Sequence, residues 1–199
     1  MADLSLSTAL ELNLTPSDPL WLRAVLDDLP AFLQDHASCE KKAAGMAMNI
    51  ASHYPDKPDL LAAMADLAVE ETSHYREVIR LLISRNEAPG ADARDPYVGA
   101  MNKLIRKGPE FYLLDRLLVA ALIEARGQQR FALLAGALAD EALKKFYTAI
   151  AASEARHWVL FAALAERYFP AETVRTRFTQ LRSAEAELIA AQAPRAALH

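Results

Sequence analysis

Apolar residues return every three or four positions along most of this chain, which is the spacing of amphipathic helices. Two segments, near residues 60–81 and 146–164, each place their large apolar side chains on a single helical face. No segment shows the strict alternation of apolar and polar residues that half-buried strands require. The pattern therefore predicts an all-helical protein. The face-forming residues of the two segments are Leu60, Met64, Leu67, Val78 and Leu81, and then Phe146, Ile150, Phe161 and Leu164.

Proline, glycine and aspartate residues divide this pattern into separate helices, because they favour caps and turns and interrupt helix interiors. The longest predicted loop runs from Glu87 to Asp95 and contains Pro89-Gly90. A short helix is expected from Pro19 to about Asp28, followed by long helices from Pro30 to about His53 and from Asp59 to about Asn86. After the loop, a short helix begins at Pro96 and ends before Gly108, and a third long helix runs from Pro109 to about Leu134, with Gly136 in the following turn. The fourth long helix covers about Asp140 to Phe169, and a last helix runs from Pro170 to about Ala191.

Four long helices with short connections predict an all-α, antiparallel four-helix bundle with additional short and C-terminal helices. A length of 199 residues suits one domain over residues 1–199, with a core large enough to bury several polar groups. The composition agrees with this interpretation, since only 6 residues are glycine and runs of β-branched residues are rare.

Charge and hydropathy limit where the protein works and what it binds. The longest unbroken apolar stretch, Leu117 to Ile123, is far shorter than the ~20 residues that span a bilayer. No Lys or Arg precedes Arg23, so the chain start lacks the charge of a signal peptide, and the single cysteine, Cys39, fits a reducing compartment. We therefore expect a cytoplasmic protein with no membrane partner. Because the net charge is −4, any nucleic acid must be bound by a local basic patch.

A Glu-x-x-His motif occurs twice, as Glu71-Thr-Ser-His74 and as Glu154-Ala-Arg-His157. Positions three apart lie on the same side of a helix, so both side chains of a motif can reach a common point. One such pair alone is usually solvated surface. Here each motif falls at the centre of an apolar face, where charges are costly unless they are paired or bind a metal ion.

Two further glutamates, Glu40 and Glu124, occupy similar apolar faces on two other predicted helices. The chain approximately repeats itself, with an offset of 84 residues between the two glutamates (40 to 124) and of 83 between the two motifs (71 to 154). Each half thus offers a Glu from one helix and Glu-x-x-His from the next. This is the ligand set of ferritin-like di-metal carboxylate proteins.

The predicted metal ligands are therefore Glu40, Glu71, His74, Glu124, Glu154 and His157. Four carboxylates and two imidazoles favour two iron ions with positions open to dioxygen, and two manganese ions stay an alternative. No catalytic residue beyond these ligands is predicted. Two further residues are candidates for supporting the ligands: His36, one turn before Glu40, and Tyr147, two turns before Glu154.

Five segments carry a resemblance to a known family: His36-Ala-Ser-Cys-Glu-Lys-Lys-Ala-Ala44, Ser52-His-Tyr-Pro-Asp56, Glu70-Glu71 with His74, Leu122-Ile-Glu-Ala-Arg126 with Arg130-Phe131, and Ser153-Glu-Ala-Arg-His157. Together they resemble the bacterial tRNA hydroxylases that act on 2-methylthio-isopentenyladenosine next to the anticodon. The resemblance extends from about Pro19 to Phe169, and the chain departs from it at Gly127-Gln128, where the family prefers a serine and a cysteine.

This resemblance implies a ferritin-like fold, a di-iron centre and oxygen-dependent hydroxylation of the isopentenyl group, with dioxygen as co-substrate. It also implies two partners, a modified tRNA bound through its anticodon loop and an external electron donor or reductase. For the tRNA, the most suggestive basic cluster is Lys103, Arg106 and Lys107, although such clusters are often ordinary solvated surface.

The residues alone leave other functions open. The same ligand set serves ferritin-like ferroxidases and iron-binding proteins, di-manganese catalases, and oxygenases that act on lipids or other small molecules. The predicted ligands indicate metal and oxygen chemistry, whereas the prediction of a tRNA substrate rests on the family resemblance alone.

Overall fold

Aspartate side chains start three of the helices, since each accepts hydrogen bonds from backbone amides of the first turn. In the computed structural model, which describes Thr8 to His199, Asp28 accepts from the Ala31 amide (3.1 Å), Asp95 from the Val98 amide (3.0 Å) and Asp140 from the Leu143 amide (3.1 Å). One proline follows each of Asp28 and Asp95, as Pro30 at the second position of its helix and Pro96 at the first. At these positions proline costs no internal hydrogen bond.

The described residues form seven helices and no strand. The helices are α1 Pro19–Asp27, α2 Leu29–His53, α3 Pro58–Ser84, α4 Pro96–Lys103, α5 Tyr112–Ala137, α6 Glu141–Tyr168 and α7 Ala171–Ala190. The helical interpretation of the sequence is thus confirmed, with most boundaries within two residues. Across the same residues, no helix is both long and apolar enough to cross a membrane.

The predicted limits of the third long helix were wrong at both ends. It begins at Tyr112 rather than Pro109, because Gly108 adopts a left-handed φ of 108° and the amides of Phe111 and Tyr112 both bond to its carbonyl oxygen in a turn. It also continues through Gly136 to Ala137, so the turn comes later than predicted. The helix ends only where the backbone of Leu138 becomes extended, just before the cap at Asp140.

One of two compact units comprises residues Pro19–Arg94 and Pro194–Leu198. Its centre is the hairpin of α2 and α3, two long helices joined by a short turn, and α1 packs on α2. The segment 194–198 is attached to these helices by two hydrogen bonds. Trp21 Nε1 donates to the Ala197 carbonyl oxygen (2.8 Å), and the Leu198 amide donates to Asp35 Oδ2 (2.7 Å).

The other compact unit comprises residues 8–18, Asp95–Ala193 and His199. Its centre is the hairpin of α5 and α6, and α7 packs against α4, α5 and α6. The prediction of a single domain over residues 1–199 stays a prediction.

Asp115, buried at the start of α5, joins the residues before this helix to α7. It accepts hydrogen bonds from Arg106 (2.7 Å, Nη2 to Oδ1) and from Arg177 (2.8 Å, Nη2 to Oδ2), and Arg177 also donates to the Leu104 carbonyl oxygen (2.7 Å). Burial raises the pKa of Asp115, but the hydrogen bonds from the two arginines outweigh it and hold the pKa below its ordinary value.

A buried ion pair joins α5 to α7. Arg126 and Glu185 are both 0% exposed, and the guanidinium donates to both carboxylate oxygens, at 2.8 and 3.0 Å. Arg126 also donates to the Thr15 carbonyl oxygen (2.8 Å), and Tyr97 Oη donates to Glu185 Oε1 (3.1 Å). One side-chain pair thus holds together α4, α5, α7 and the segment before α1.

Replacing Arg126 with alanine is predicted to lower the free energy of unfolding by about 3–5 kcal/mol, because Glu185 would be left buried without its ionic partner. Urea unfolding followed by circular dichroism would measure this change. The matched control is Arg175→Ala, which removes a pair with Glu172 whose side chains are 53% and 79% exposed and should leave the midpoint nearly unchanged. Equal effects of the two substitutions would contradict the importance given to the buried pair.

Candidate metal centre

A buried triad of Glu40, Glu71 and His74 lies in the α2–α3 hairpin. The three residues are between 1% and 8% exposed, and each offers a ligand atom within 4.8 Å of the others. His74 Nδ1 lies 3.5 Å from Glu40 Oε2 and 3.5 Å from Glu71 Oε2. Glu40, Glu71 and His74 therefore lie close together inside this unit, and their role as metal ligands stays a prediction.

Helical spacing and hairpin packing together create this triad. Glu71 and His74 are three residues apart on α3, so they share its inner face, and the neighbouring turns are filled by buried apolar residues. Glu40 comes from α2, where the residues one and two turns away on the inner side are small and allow the helices to approach. The buried apolar neighbours are Ala37 and Ala47 on α2, and Leu67, Ala68 and Val78 on α3.

The two carboxylates control the charge of His74. Burial lowers the pKa of this imidazole, but the neighbouring carboxylates of Glu40 and Glu71 outweigh burial and raise the pKa to about 10. Without a metal ion, a proton on His74 therefore partly compensates the two buried negative charges. A divalent cation bound between the carboxylates would also compensate their buried charge.

His36, one of the two supporting residues predicted from the sequence, lies against Glu40. It is fully buried, and its Nε2 is 2.6 Å from Glu40 Oε1. Burial, with a smaller contribution from the positive charge of His74, lowers the pKa of His36 to about 3, so the ring is neutral. Because a carboxylate can only accept, Nε2 carries the proton and donates it to Oε1. Glu40 Oε2 is then the oxygen directed toward Glu71 and His74.

Aromatic packing fixes the ring of His36. Phe32, one turn earlier on α2, lies 6.1 Å from the His36 ring centroid, and Trp21 of α1 meets the edge of Phe32 at 6.3 Å. Trp21 is itself held by its hydrogen bond to the Ala197 carbonyl oxygen. The orientation of Glu40 therefore depends on a packed row that reaches α1 and the segment 194–198.

A second buried triad, Glu124, Glu154 and His157, lies in the α5–α6 hairpin. All three residues are buried, and each again offers a ligand atom within 4.8 Å of the others. His157 Nδ1 lies 3.4 Å from Glu154 Oε2, which nearly equals the distance between His74 Nδ1 and Glu71 Oε2. The distance between the glutamate oxygen and the histidine Nδ1 is thus nearly the same in the two Glu-x-x-His motifs.

Ser153 lies against His157 and is a candidate supporting residue that the sequence did not lead us to predict. Its Oγ lies 3.4 Å from His157 Nε2, the ring nitrogen that faces away from Glu154, and it accepts a hydrogen bond from Arg156 NH2 (3.0 Å). The signal was present in the sequence, because Ser153 precedes His157 by four residues and must share its helix face. Tyr147, the other predicted supporting residue, is fully buried and packs on Phe131 (5.6 Å) and Phe146 (5.0 Å), and its role toward the ligands stays a prediction.

The structure gives the three residues of the predicted basic cluster different roles. Lys103 and Lys107 are exposed. Arg106, by contrast, is bound to Asp115 through its backbone amide and its guanidinium, and its guanidinium lies 4.2 Å from the Phe111 ring centroid. Its main contacts are therefore structural.

The donor atoms of each triad are chemically suited to binding a divalent metal ion. Two carboxylates and one imidazole form a hard-to-borderline ligand set suited to iron or manganese, and burial excludes competing water. Each imidazole directs Nδ1 toward a carboxylate, and in the first triad the remaining oxygen of Glu40 is already bound by His36. Such supporting hydrogen bonds are typical of metal ligands, because they fix the orientation of the donor atom.

Comparison with known proteins places these triads in context. The profile of the family described as tRNA-(MS2IO6A)-hydroxylase (MiaE) matches residues 6–199. A curated relative from Pseudomonas putida is 36% identical, with 87% of this chain and 84% of the relative covered. Another from Salmonella typhimurium is 30% identical, with 92% of this chain and 86% of the relative covered. Both are named tRNA 2-(methylsulfanyl)-N(6)-isopentenyladenosine(37) hydroxylase.

A solved structure from Synechococcus, described as protein 43 with aldehyde deformylating oxygenase activity, matches with a TM-score of 0.88 and 35% identity. The match covers 92% of this chain and 93% of that one. It confirms the all-α, ferritin-like fold class expected from the sequence. With a family profile spanning nearly the whole chain and two relatives of at least 30% identity, this chain belongs to the tRNA-(MS2IO6A)-hydroxylase (MiaE) family.

Proposed function

We propose that this enzyme hydroxylates the isopentenyl group of 2-methylthio-isopentenyladenosine in tRNA, using dioxygen and a pair of iron ions. The observation that carries the proposal is the presence of two buried Glu/Glu/His triads in a chain of the tRNA-(MS2IO6A)-hydroxylase family. Membership in this family supports the substrate, and the donor atoms of the triads support the chemistry.

The six ligands are proposed to hold two iron ions, and each triad belongs to its own helical hairpin. Charge supports this stoichiometry. The four carboxylates carry four negative charges and two neutral imidazoles carry none, so two divalent ions make the set neutral in a dry interior. The repeated spacing of the two halves supports one ion for each triad.

The protein's own residues would hold and orient the metal ligands and exclude water. Glu40 presents Oε2 while His36 retains Oε1, and His74 and His157 each present Nδ1. The surrounding apolar turns would keep solvent away from a reactive oxidant. When bound, the iron pair would supply the activation of dioxygen that oxygen insertion into a C–H bond requires.

The overall reaction balances only with an external reductant. One oxygen atom of dioxygen is inserted into a C–H bond of the isopentenyl group, and the other leaves as water after it takes up two electrons and two protons. The proposal therefore includes an electron donor or reductase as a partner. The tRNA partner would be bound through its anticodon loop, and Lys103 and Lys107, more than Arg106, are exposed for contact with its phosphates.

Three other activities remain outcomes of the tests. A ferroxidase or iron-binding protein would oxidise added ferrous iron without any response to tRNA. A di-manganese catalase would release oxygen from peroxide. The structural relative from Synechococcus is described as having aldehyde deformylating oxygenase activity, so an aliphatic aldehyde is a substrate to offer alongside tRNA.

Removing one carboxylate from each triad is predicted to abolish iron binding. Protein with both Glu71→Ala and Glu154→Ala should contain almost no iron after expression with ample iron, while the unaltered protein should hold about two ions per chain, the stoichiometry of di-iron carboxylate proteins. Elemental analysis would measure the iron content. The control is Glu77→Ala on the exposed side of α3, which should retain full iron content. Full iron in the double variant would contradict the ligand assignment.

His36→Ala is predicted to weaken iron binding by about tenfold or more, because Glu40 would lose the hydrogen bond that fixes its second oxygen. Competition with a calibrated chelator would give the affinity. His36→Gln retains a side-chain N–H donor and should recover part of the loss. If alanine and glutamine behave alike, with affinity unchanged, His36 serves only to fill space.

The central prediction concerns the product. Reduced, iron-loaded enzyme supplied with labelled dioxygen and prenylated tRNA should yield a nucleoside heavier by one oxygen atom that carries the label. Mass spectrometry of digested tRNA after a single turnover would detect it, and the iron-free double variant should give none. Label arriving from water would contradict oxygen insertion from dioxygen. Turnover of the aldehyde with no change in the tRNA would contradict the proposed substrate.

A further inference from the structure

The loop between α3 and α4 lies along the outer side of α2. Gln34 Nε2 donates to the Ala88 carbonyl oxygen (2.8 Å), Ser38 Oγ to Asp92 Oδ1 (2.9 Å) and Lys41 Nζ to Asp92 Oδ2 (2.8 Å). Lys42 Nζ donates to the Ala93 carbonyl oxygen (2.6 Å). Residues 88–93 thus follow α2 for about two turns, past the position of Glu40.

This loop has no apolar anchor. Every residue from Ala88 to Arg94 is exposed, and the loop contains alanine, proline and glycine where a buried side chain would be needed. The pair of Lys41 and Asp92 is also open to water, with side chains 48% and 50% exposed. Exposed ion pairs contribute little to stability and are weakened by salt, so the loop can leave α2 at low cost.

The side chains beneath Asp92 form an anion-binding site. A hydroxyl group and an ammonium group bind the two oxygens of one carboxylate at nearly equal distances. A phosphate diester offers the same pair of oxygens with the same single charge. Because Lys42 is bonded to a neutral carbonyl oxygen, the two lysines and Asp92 together retain one surplus positive charge.

Several other basic residues of the chain are already paired. Arg106 and Arg177 both bind the buried Asp115, and Arg175 binds Glu172. The net charge of −4 repels RNA at long range, so a local basic site is needed. Ser38 and Lys42 lie about 160° from Glu40 around α2, and Lys41 about 100°, so all three lie away from the buried face that carries Glu40.

From this arrangement we infer that Ser38, Lys41 and Lys42 bind a backbone phosphate of the RNA substrate, and that Asp92 occupies this site until RNA displaces it. The inference rests on the proposed function for its ligand. Asp92 is then an internal competitor: RNA must release the loop to reach the lysines. Loss of the carboxylate and loss of the lysines therefore have opposite effects on RNA affinity.

The test measures binding of a prenylated anticodon stem-loop RNA over a series of salt concentrations. Lys41→Gln with Lys42→Gln should weaken binding and lower the slope of log K against log salt by about 0.7 for each lost phosphate contact. Asp92→Asn should tighten binding by roughly two- to fivefold, the size expected when one exposed ion pair no longer competes. Lys144→Gln with Lys145→Gln, the other adjacent lysine pair, is the control and should bind like the unaltered protein.

Limited proteolysis adds a direct readout of displacement, because the loop contacts α2 through carbonyl oxygens and the Asp92 side chain rather than through its amides. In the unaltered protein, trypsin should cut after the exposed Arg94 faster once RNA is bound, and circular dichroism should show that every variant is folded. Slower cutting at Arg94 on binding, or equal RNA affinities for the variants of the two lysine pairs and for Asp92→Asn, would overturn the inference.

Two further outcomes separate this inference from the proposed function. If the unaltered protein binds and hydroxylates the RNA while the α2 variants are indistinguishable from it, only the phosphate site is wrong. If the unaltered protein does not bind the RNA even at low salt, the proposed substrate falls as well. Unchanged RNA affinity in the α2 double variant, with loss of binding to phosphatidylglycerol vesicles, would overturn RNA as the ligand.

Discussion

The cost of removing carboxylates from water is the constraint on which this structure depends. Each hairpin buries two glutamates and a histidine among apolar turns, and such groups are tolerated only when opposite charge or hydrogen bonds compensate them. The fold meets part of this cost itself, since His74 is held in its charged form by Glu40 and Glu71, and His36 donates to Glu40. Cations supply the rest in the function proposed here. The same logic governs Arg126 and Glu185, whose charges are satisfied within the protein and therefore serve stability.

Support for the proposed ligands extends well beyond their immediate neighbours. Behind Glu40 stand His36, then Phe32 and Trp21, and Trp21 is fixed by the carbonyl oxygen of Ala197, a residue 176 positions away in sequence. A change in this aromatic row would act on the orientation of Glu40 without touching a ligand. In the other hairpin, Ser153 and Arg156 play the nearest comparable part beside His157, with much shorter connections along a single helix.

Local signals made most of the fold predictable, and they also identified the residues of the two buried triads, whose role as metal ligands stays a prediction. Contacts between distant segments could not be predicted in this way. Proline and aspartate caps located most helix ends, and the three-residue spacing of Glu71 and His74 required a shared face. The third long helix was misplaced because Pro109 looks like a helix start in the sequence. In the structure the chain instead forms a turn at Gly108, and the helix begins at Tyr112. Arg106 looked like part of a binding surface because its partner, Asp115, lies nine positions on, in another element. The contact of Lys41 with Asp92, 51 positions apart, leaves no periodic trace in the sequence.

The near repeat of the two halves conceals a difference in what surrounds each ligand. With the offset of 84 residues that relates Glu40 to Glu124, the counterpart of His36 is Ala120, which has no polar group to donate. With the offset of 83 residues that relates His74 to His157, the counterpart of Ser153 is Glu70. Duplication therefore preserved the donor atoms while their supports diverged. If the proposed pair of ions is bound, these unequal surroundings would give the two ions different affinities and redox potentials.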